Sequence, residues 1–196
     1  MKLDAHQHFW RYSAAEYPWI PIGSALQRDW LPEDLAALQE PLGFDGSIAV
    51  QARQTLEETR WLLSLADQHP HIRGVVGWVD LRVAELGAEL RQFAAHPKFV
   101  GVRHVVQDEP DERFMLGAEF LRGLSQLRDF GLTYDLLIFP KQLPVPAKSW
   151  RVFRSRRLFS TTSPNRPSSA ASMSRGRRKF VRWRGIRTCV ANSAAW

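Results

Sequence analysis

His6 and His8 stand two residues apart in the segment Leu3-Asp4-Ala5-His6-Gln7-His8. On an extended strand that spacing points both imidazoles to one face. Two imidazoles together can hold a divalent metal, with zinc as the candidate ion, or polarise a carbonyl. They can equally be two hydrogen-bonded core histidines, because a metal needs further ligands. Gln51, Asp80, Arg103 and His104 each fall near the end of another apolar run and are candidates for binding a substrate. Arg103 suits a carboxylate or hydroxyl, since its planar guanidinium makes paired contacts that a lysine cannot. Asp80 and His104 also read as helix caps or as partners of backbone groups. His69, His71 and His96 lie beside Pro70 and Pro97 and read as surface residues.

These residues need strands that end at one place. Apolar, β-branched runs recur at residues 3–8, 46–51, 74–79, 99–106 and 132–139. Between them, apolar residues fall at helical spacing over 31–38, 56–66, 83–93 and 114–127. Strand alternating with helix is the rhythm of βα units in a parallel sheet. The expected fold class is therefore α/β: a partial (β/α)8 barrel of about five units, with the active site at the C-terminal ends of the strands. Residues 9–30 break the rhythm with Phe9, Trp10, Tyr12, Tyr17, Trp19, Ile20 and Trp30 among prolines and glycines. This stretch reads as a long loop over the barrel mouth, either a substrate lid or an aromatic plug.

Charge divides the chain more sharply than its net value of +7 suggests. Residues 1–144 carry all 20 acidic groups and 14 basic ones, a net of −6, whereas 145–196 carry 13 basic groups and no acid. From Val145 the periodicity also vanishes into runs such as Arg154-Ser155-Arg156-Arg157 and Ser160-Thr161-Thr162-Ser163-Pro164. The expected division is a barrel portion at 1–144 and a basic, Ser/Arg-rich, disordered tail at 145–196. No apolar run approaches the ~18 residues of a membrane span. The N-terminus lacks a secretion-signal layout, and the single cysteine, Cys189, cannot form an internal disulfide. The expected compartment is the cytoplasm.

Taken in order, Leu3-Asp4-Ala5-His6-Gln7-His8-Phe9-Trp10, Val50-Gln51-Ala52, Gly77-Trp78-Val79-Asp80-Leu81, Gly101-Val102-Arg103-His104 and Phe139-Pro140-Lys141-Gln142-Leu143-Pro144 resemble the amidohydrolase-related family. The likeness is strongest to the branch of sugar-acid lactonases and pyrone-dicarboxylate lactonase. It implies a distorted (β/α)8 barrel that opens a lactone, or a related ester or amide, with activated water. His6 and His8 match the paired histidines of strand one, and Arg103 and His104 match the strand-four motif. A later-strand histidine and a strand-eight aspartate are also implied, but beyond Val145 the chain has no His, Asp or Glu. Members of the branch differ in whether they need a metal.

The family would continue with a strand reading Leu-Asp-His-Ile-Ala-Lys-Pro. The codons for Phe159 to Arg166 can spell that run when each boundary is moved one nucleotide earlier, and those for Arg187 to Trp196 can spell Asn-Val-Cys-Cys-Lys-Leu-Ser-Gly-Met. The third bases are free choices, so this is compatibility. It leads to the expectation of a one-base insertion or deletion near the codons for Pro144 to Pro146.

Two functions follow. The first is hydrolysis of a small lactone or ester, with His6 and His8 as catalytic and metal-holding groups, although about five of eight strands is an incomplete site. The second is a nucleic-acid-binding or adaptor protein whose tail sets Trp150, Phe153, Phe159, Phe180 and Trp183 among arginines. Phosphate contacts there would be non-specific, for no recognised binding motif is present. An open sheet should also self-associate through its unpaired edge.

Overall fold

A computed structural model describes residues 2–139, Gln142 and the backbone of 158–161. Six strands form one parallel sheet in chain order: β1 (Leu3–Gln7), β2 (Gly46–Val50), β3 (Ile72–Gly77), β4 (Phe99–Val105), β5 (Thr133–Leu137) and β6 (Leu158–Thr161). Helices α1 (Pro32–Gln39), α2 (Leu56–Gln68), α3 (Leu86–Ala94) and α4 (Ala118–Gln126) make the first four crossovers. The arrangement is the curled part-barrel that the alternation predicts.

Local chemistry sets the helix starts. Pro32 occupies the first turn of α1, and the Asp34 carboxylate accepts from the Leu31 amide at 2.9 Å. Thr55 caps α2 by accepting the Glu58 amide at 3.1 Å. Such a cap contributes about 1 kcal/mol. The fourth predicted helix begins later than expected: Phe114–Leu116 is a separate 3₁₀ turn, and α4 follows Gly117. α4 lies so close to the loop after β3 that a Cβ on Gly123 would overlap the Leu81 carbonyl. Glycine is needed there for that approach.

The main core fills the space between sheet and helices with Leu62, Val75, Leu90, Phe93, Val102, Phe120, Leu124 and Tyr134 among others. A second, smaller core belongs to residues 9–30. Trp10 and Trp30 exchange both backbone hydrogen bonds at 3.0 Å, which closes the loop on itself. Trp10, Tyr17 and Ile20 are buried together, with Ala52 packed against them at the end of β2. The loop thus has packing of its own and sits at the C-terminal side of the sheet.

The expected disordered tail from Val145 falls almost wholly outside the described residues; within it, Leu158–Thr161 pairs in parallel with β5 through Tyr134↔Leu158, Asp135↔Phe159, Leu136↔Ser160 and Leu137↔Thr161. Leu158-Phe159-Ser160-Thr161 is a short β-compatible run, and β5 offers it a row of unpaired backbone groups. The remainder of 145–196 lies outside the described residues.

Candidate active site

Strand β4 sorts its side chains by alternation. Val102 and His104 face the helices, where the His104 ring stacks on Phe114 at 4.8 Å and meets Phe120 edge-on at 5.9 Å. Arg103 therefore faces the other way, into the barrel interior. On β5, Tyr134 packs on the same Phe120 at 5.9 Å, so Asp135 also faces the interior, and the two are register partners, Arg103↔Asp135.

Three of the predicted residues meet at this interior face. The His6 and His8 Nε2 atoms are 3.0 Å apart, and the Arg103 Nη1 is 3.3 Å from the His6 Nε2. Gln51 joins them by a reciprocal exchange across the end of β3: Arg103 Nη2 donates to the Gln51 carbonyl, and Gln51 Nε2 donates to the Arg103 carbonyl at 3.4 Å. His8 donates from Nδ1 to the Val50 carbonyl at 2.9 Å. The expected convergence of His6, His8, Gln51 and Arg103 is present.

His104 and Asp80 have other partners. His104 bonds Glu109 through Nε2 at 2.6 Å and accepts from Trp78 Nε1 at its Nδ1 at 3.3 Å. Both ring nitrogens are thereby used on the helix side. Asp80 makes a paired contact with Arg82, Oδ1 to Nε at 2.9 Å and Oδ2 to Nη2 at 3.0 Å. That pairing, ahead of its burial, holds the Asp80 carboxyl below the usual range.

Burial governs the protonation of the central group. Desolvation, then the Arg103 charge, lowers His6 from 6.5 to about 3 and takes His8 well below 6.5. Both imidazoles are therefore neutral near pH 7. Arg103 is lowered to about 10 by desolvation and remains charged. Asp135, which the sequence reading did not single out, is raised from 3.8 to about 7 by burial, with Arg103 opposing.

The donor count around the two histidines does not close without another group. Because a carbonyl can only accept, His8 carries its proton on Nδ1, and its neutral Nε2 is a bare lone pair. If His6 accepts from Arg103, two lone pairs face each other across 3.0 Å. If His6 instead donates to His8, the Arg103 N–H at 3.3 Å points at another N–H. A cation shared by the two Nε2 atoms removes the conflict, and the Val50 carbonyl is the outer partner that metal-binding histidines normally have. The residues present fit two ligands of a divalent metal; among the described residues no cluster of three or more His, Cys, Asp or Glu could hold one.

Parallel strands in chain order, with helices on one face and a histidine–arginine centre on the other, define the class of structure: a section of a (β/α) barrel with its site at the strand ends. The amidohydrolase family model matches residues 3–153. The chain belongs to this family. It is 45% identical over 146 residues to an L-fucono-1,5-lactonase of Burkholderia multivorans, covering 74% of this chain and 49% of that protein. A second L-fucono-1,5-lactonase, from Burkholderia ambifaria, is 34% identical over 144 residues, covering 73% and 50%. The chain thus spans about half the length of the curated relatives it matches. Among solved structures, an amidohydrolase from Burkholderia multivorans with bound zinc superposes with a TM-score of 0.78 at 40% identity, over 82% of this chain and 57% of that one. A probable 2-pyrone-4,6-dicarboxylic acid hydrolase from Acinetobacter baumannii, at 15% identity and TM-score 0.61 over 82% and 57%, shares the fold.

Proposed function

We propose that this chain carries the N-terminal part of a lactone hydrolase site. The observation that carries the reading is the cluster of half-buried His6 and His8 with buried Arg103, which sets the two Nε2 atoms 3.0 Å apart beside a fixed positive charge. The lactonase names of two relatives and the zinc in a solved one support it.

His6 and His8 would hold the metal, and when bound the ion supplies a Lewis acid and lowers the pKa of a bound water. Arg103 contributes what it has in place: a charged, desolvated guanidinium whose orientation is fixed by the Gln51 carbonyl. Such a group binds a lactone carbonyl and stabilises the negative charge that develops there on water attack. Gln51 holds Arg103 in position. Ring opening breaks the acyl C–O bond and gives the hydroxy acid, with one water consumed. His104 and Asp80 are assigned to the rim, where they hold the ends of β4 and β3.

The partner is a small lactone or ester. No helix among the described residues is long and apolar enough to cross a membrane, and the cytoplasm is the expected compartment. β1 is an edge of the sheet and offers a surface for self-association. Nucleic-acid binding would rest on residues outside those described.

The test is hydrolysis of a six-membered sugar-acid lactone by the zinc-loaded chain, followed by pH-stat, with Arg103→Lys as the control. The variant keeps charge but loses the forked contact, and a fall in kcat/KM of about 10²-fold or more is expected, of the size seen when an oxyanion donor is removed. Hydrolysis that is unchanged in Arg103→Lys removes the role; absence of hydrolysis by the parent chain removes the reading.

A further inference from the structure

Among the described residues, the interior face holds polar atoms that have no hydrogen-bond partner. Asp135 is 5% exposed and its Oδ1 has no hydrogen-bond partner. Arg103 is 4% exposed, and its Nε–H is likewise unpartnered. The two are register partners on adjacent strands and face the same side. Beside them the fully buried Gln51 has an unpartnered Oε1. A buried polar atom left without a partner costs about 1 to 3 kcal/mol. Three of them on neighbouring residues are expensive for structure alone, and such groups collect where a ligand completes them.

The pattern of donors and acceptors says what that ligand presents. Arg103 Nε offers a donor, and Asp135 Oδ1 offers an acceptor. An alcohol does both jobs with one oxygen, accepting from the guanidinium and donating to the carboxyl. An ionised Asp135 would meet a carboxylate as a second acceptor of like charge and repel it, whereas an alcohol suits Asp135 in either protonation state.

We propose that Asp135 is a specificity-determining residue that binds a ring hydroxyl of the substrate together with Arg103, making this a site for an uncharged, polyhydroxylated lactone and not for a dicarboxylate. The proposal rests on the lactone-hydrolase reading for the identity of the ring. Its chemistry does not depend on turnover. Burial raises the Asp135 carboxyl to about 7, so the group is available both as acceptor and, when protonated, as donor to the same hydroxyl.

Binding tests this without requiring hydrolysis. Titration calorimetry on the full chain would use three probes: a six-carbon aldonolactam, in which an amide replaces the ester; δ-valerolactam, the same ring without hydroxyls; and glutarate. The parent should bind the aldonolactam at least about tenfold more tightly than the other two, equivalent to one hydrogen bond to a charged group. Asp135→Ala should erase that preference while leaving δ-valerolactam unchanged. Asp135→Asn should keep part of it, and its melting temperature should equal or exceed the parent's, since a buried, unpartnered carboxyl is removed.

Equal weakening of both lactams in Asp135→Ala would show that the residue acts only through Arg103, and would overturn the proposal. So would an unchanged preference, tighter binding of glutarate, binding of no probe by the parent, or a marked loss of stability in Asp135→Asn. Hydroxyl-dependent binding without hydrolysis of the matching lactone would instead overturn the lactonase reading and leave the subsite standing.

Discussion

His8 gives its Nδ1 proton to the Val50 carbonyl at 2.9 Å, and this single bond determines what the other ring nitrogen can do. Nε2 is left as a lone pair facing His6, with the carbonyl of the neighbouring strand holding the ring in place. One Co²⁺ or Zn²⁺ per chain is the expected consequence, read by the cobalt absorption spectrum and by competition with a chelating dye. His6→Ala and His8→Ala should each abolish binding, and metal should raise the parent's melting temperature by mass action. Stoichiometric binding by the double variant would locate the metal elsewhere.

Glu58 is buried with 0% exposure and accepts from three groups: the Ala52 amide at 2.5 Å, the Arg53 amide at 3.0 Å and Arg53 Nε at 2.7 Å. Arg53 also pairs with Glu16, so one carboxylate anchors both the turn after β2 and the aromatic loop. Glu58→Ala leaves those donors unpartnered, and the expected loss is about 3 to 5 kcal/mol, the range for breaking a buried ion pair. Urea unfolding followed by circular dichroism measures it. A loss below about 1 kcal/mol, the value of an exposed pair, would mean that water replaces the carboxylate.

Asp135 gives a pH dependence whose sign can be worked out. Its folded value, about 7, lies above its ordinary 3.8, so folding favours the protonated form. That contribution is present at pH values below the ordinary one and disappears as the pH rises through about 7. Asp135→Asn abolishes it, so the variant should gain on the parent between about pH 4 and pH 8, by an amount on the order of 4 kcal/mol at most. His6, lowered to about 3, acts in the opposite direction in both proteins and cancels in the difference. A difference that stays flat across the range would show that Asp135 is solvated.

The coding DNA checks the composition switch directly. Read one base earlier beyond the codons for Pro144 to Pro146, it is expected to spell Leu-Asp-His-Ile-Ala-Lys-Pro across Phe159 to Arg166. Any other reading across those codons would remove the shifted-frame explanation for a segment without Asp, Glu or His.

The parallel sheet was legible because its strands are buried on both faces and read as continuous apolar runs between helical repeats. Arg103 was legible as an arginine inside such a run. Asp135 sits in an equivalent position within Tyr134-Asp135-Leu136-Leu137, but a lone acid in a strand carries no sign of which face it takes. Only the packing of Tyr134 on Phe120 assigns that face. For the mirror reason, adjacent residues on a strand point to opposite sides, so only one of Arg103 and His104 can enter the interior, and His104 packs on Phe114 instead. The β6 pairing could not be read from its four residues, because the register is imposed by β5.

The order β1-β2-β3-β4-β5-β6 is also the order in which the ribosome makes the strands. Each described strand after the first pairs with the one synthesised just before it, so none of the described strands waits for a distant partner. At about 5 to 20 residues per second, a βα unit emerges over seconds, whereas helices form within about a microsecond. Assembly can therefore keep pace with synthesis, each new unit docking on the edge left by the last. A sheet built in this way is coherent at every length, and its early strands are arranged before the later part of the message has been read.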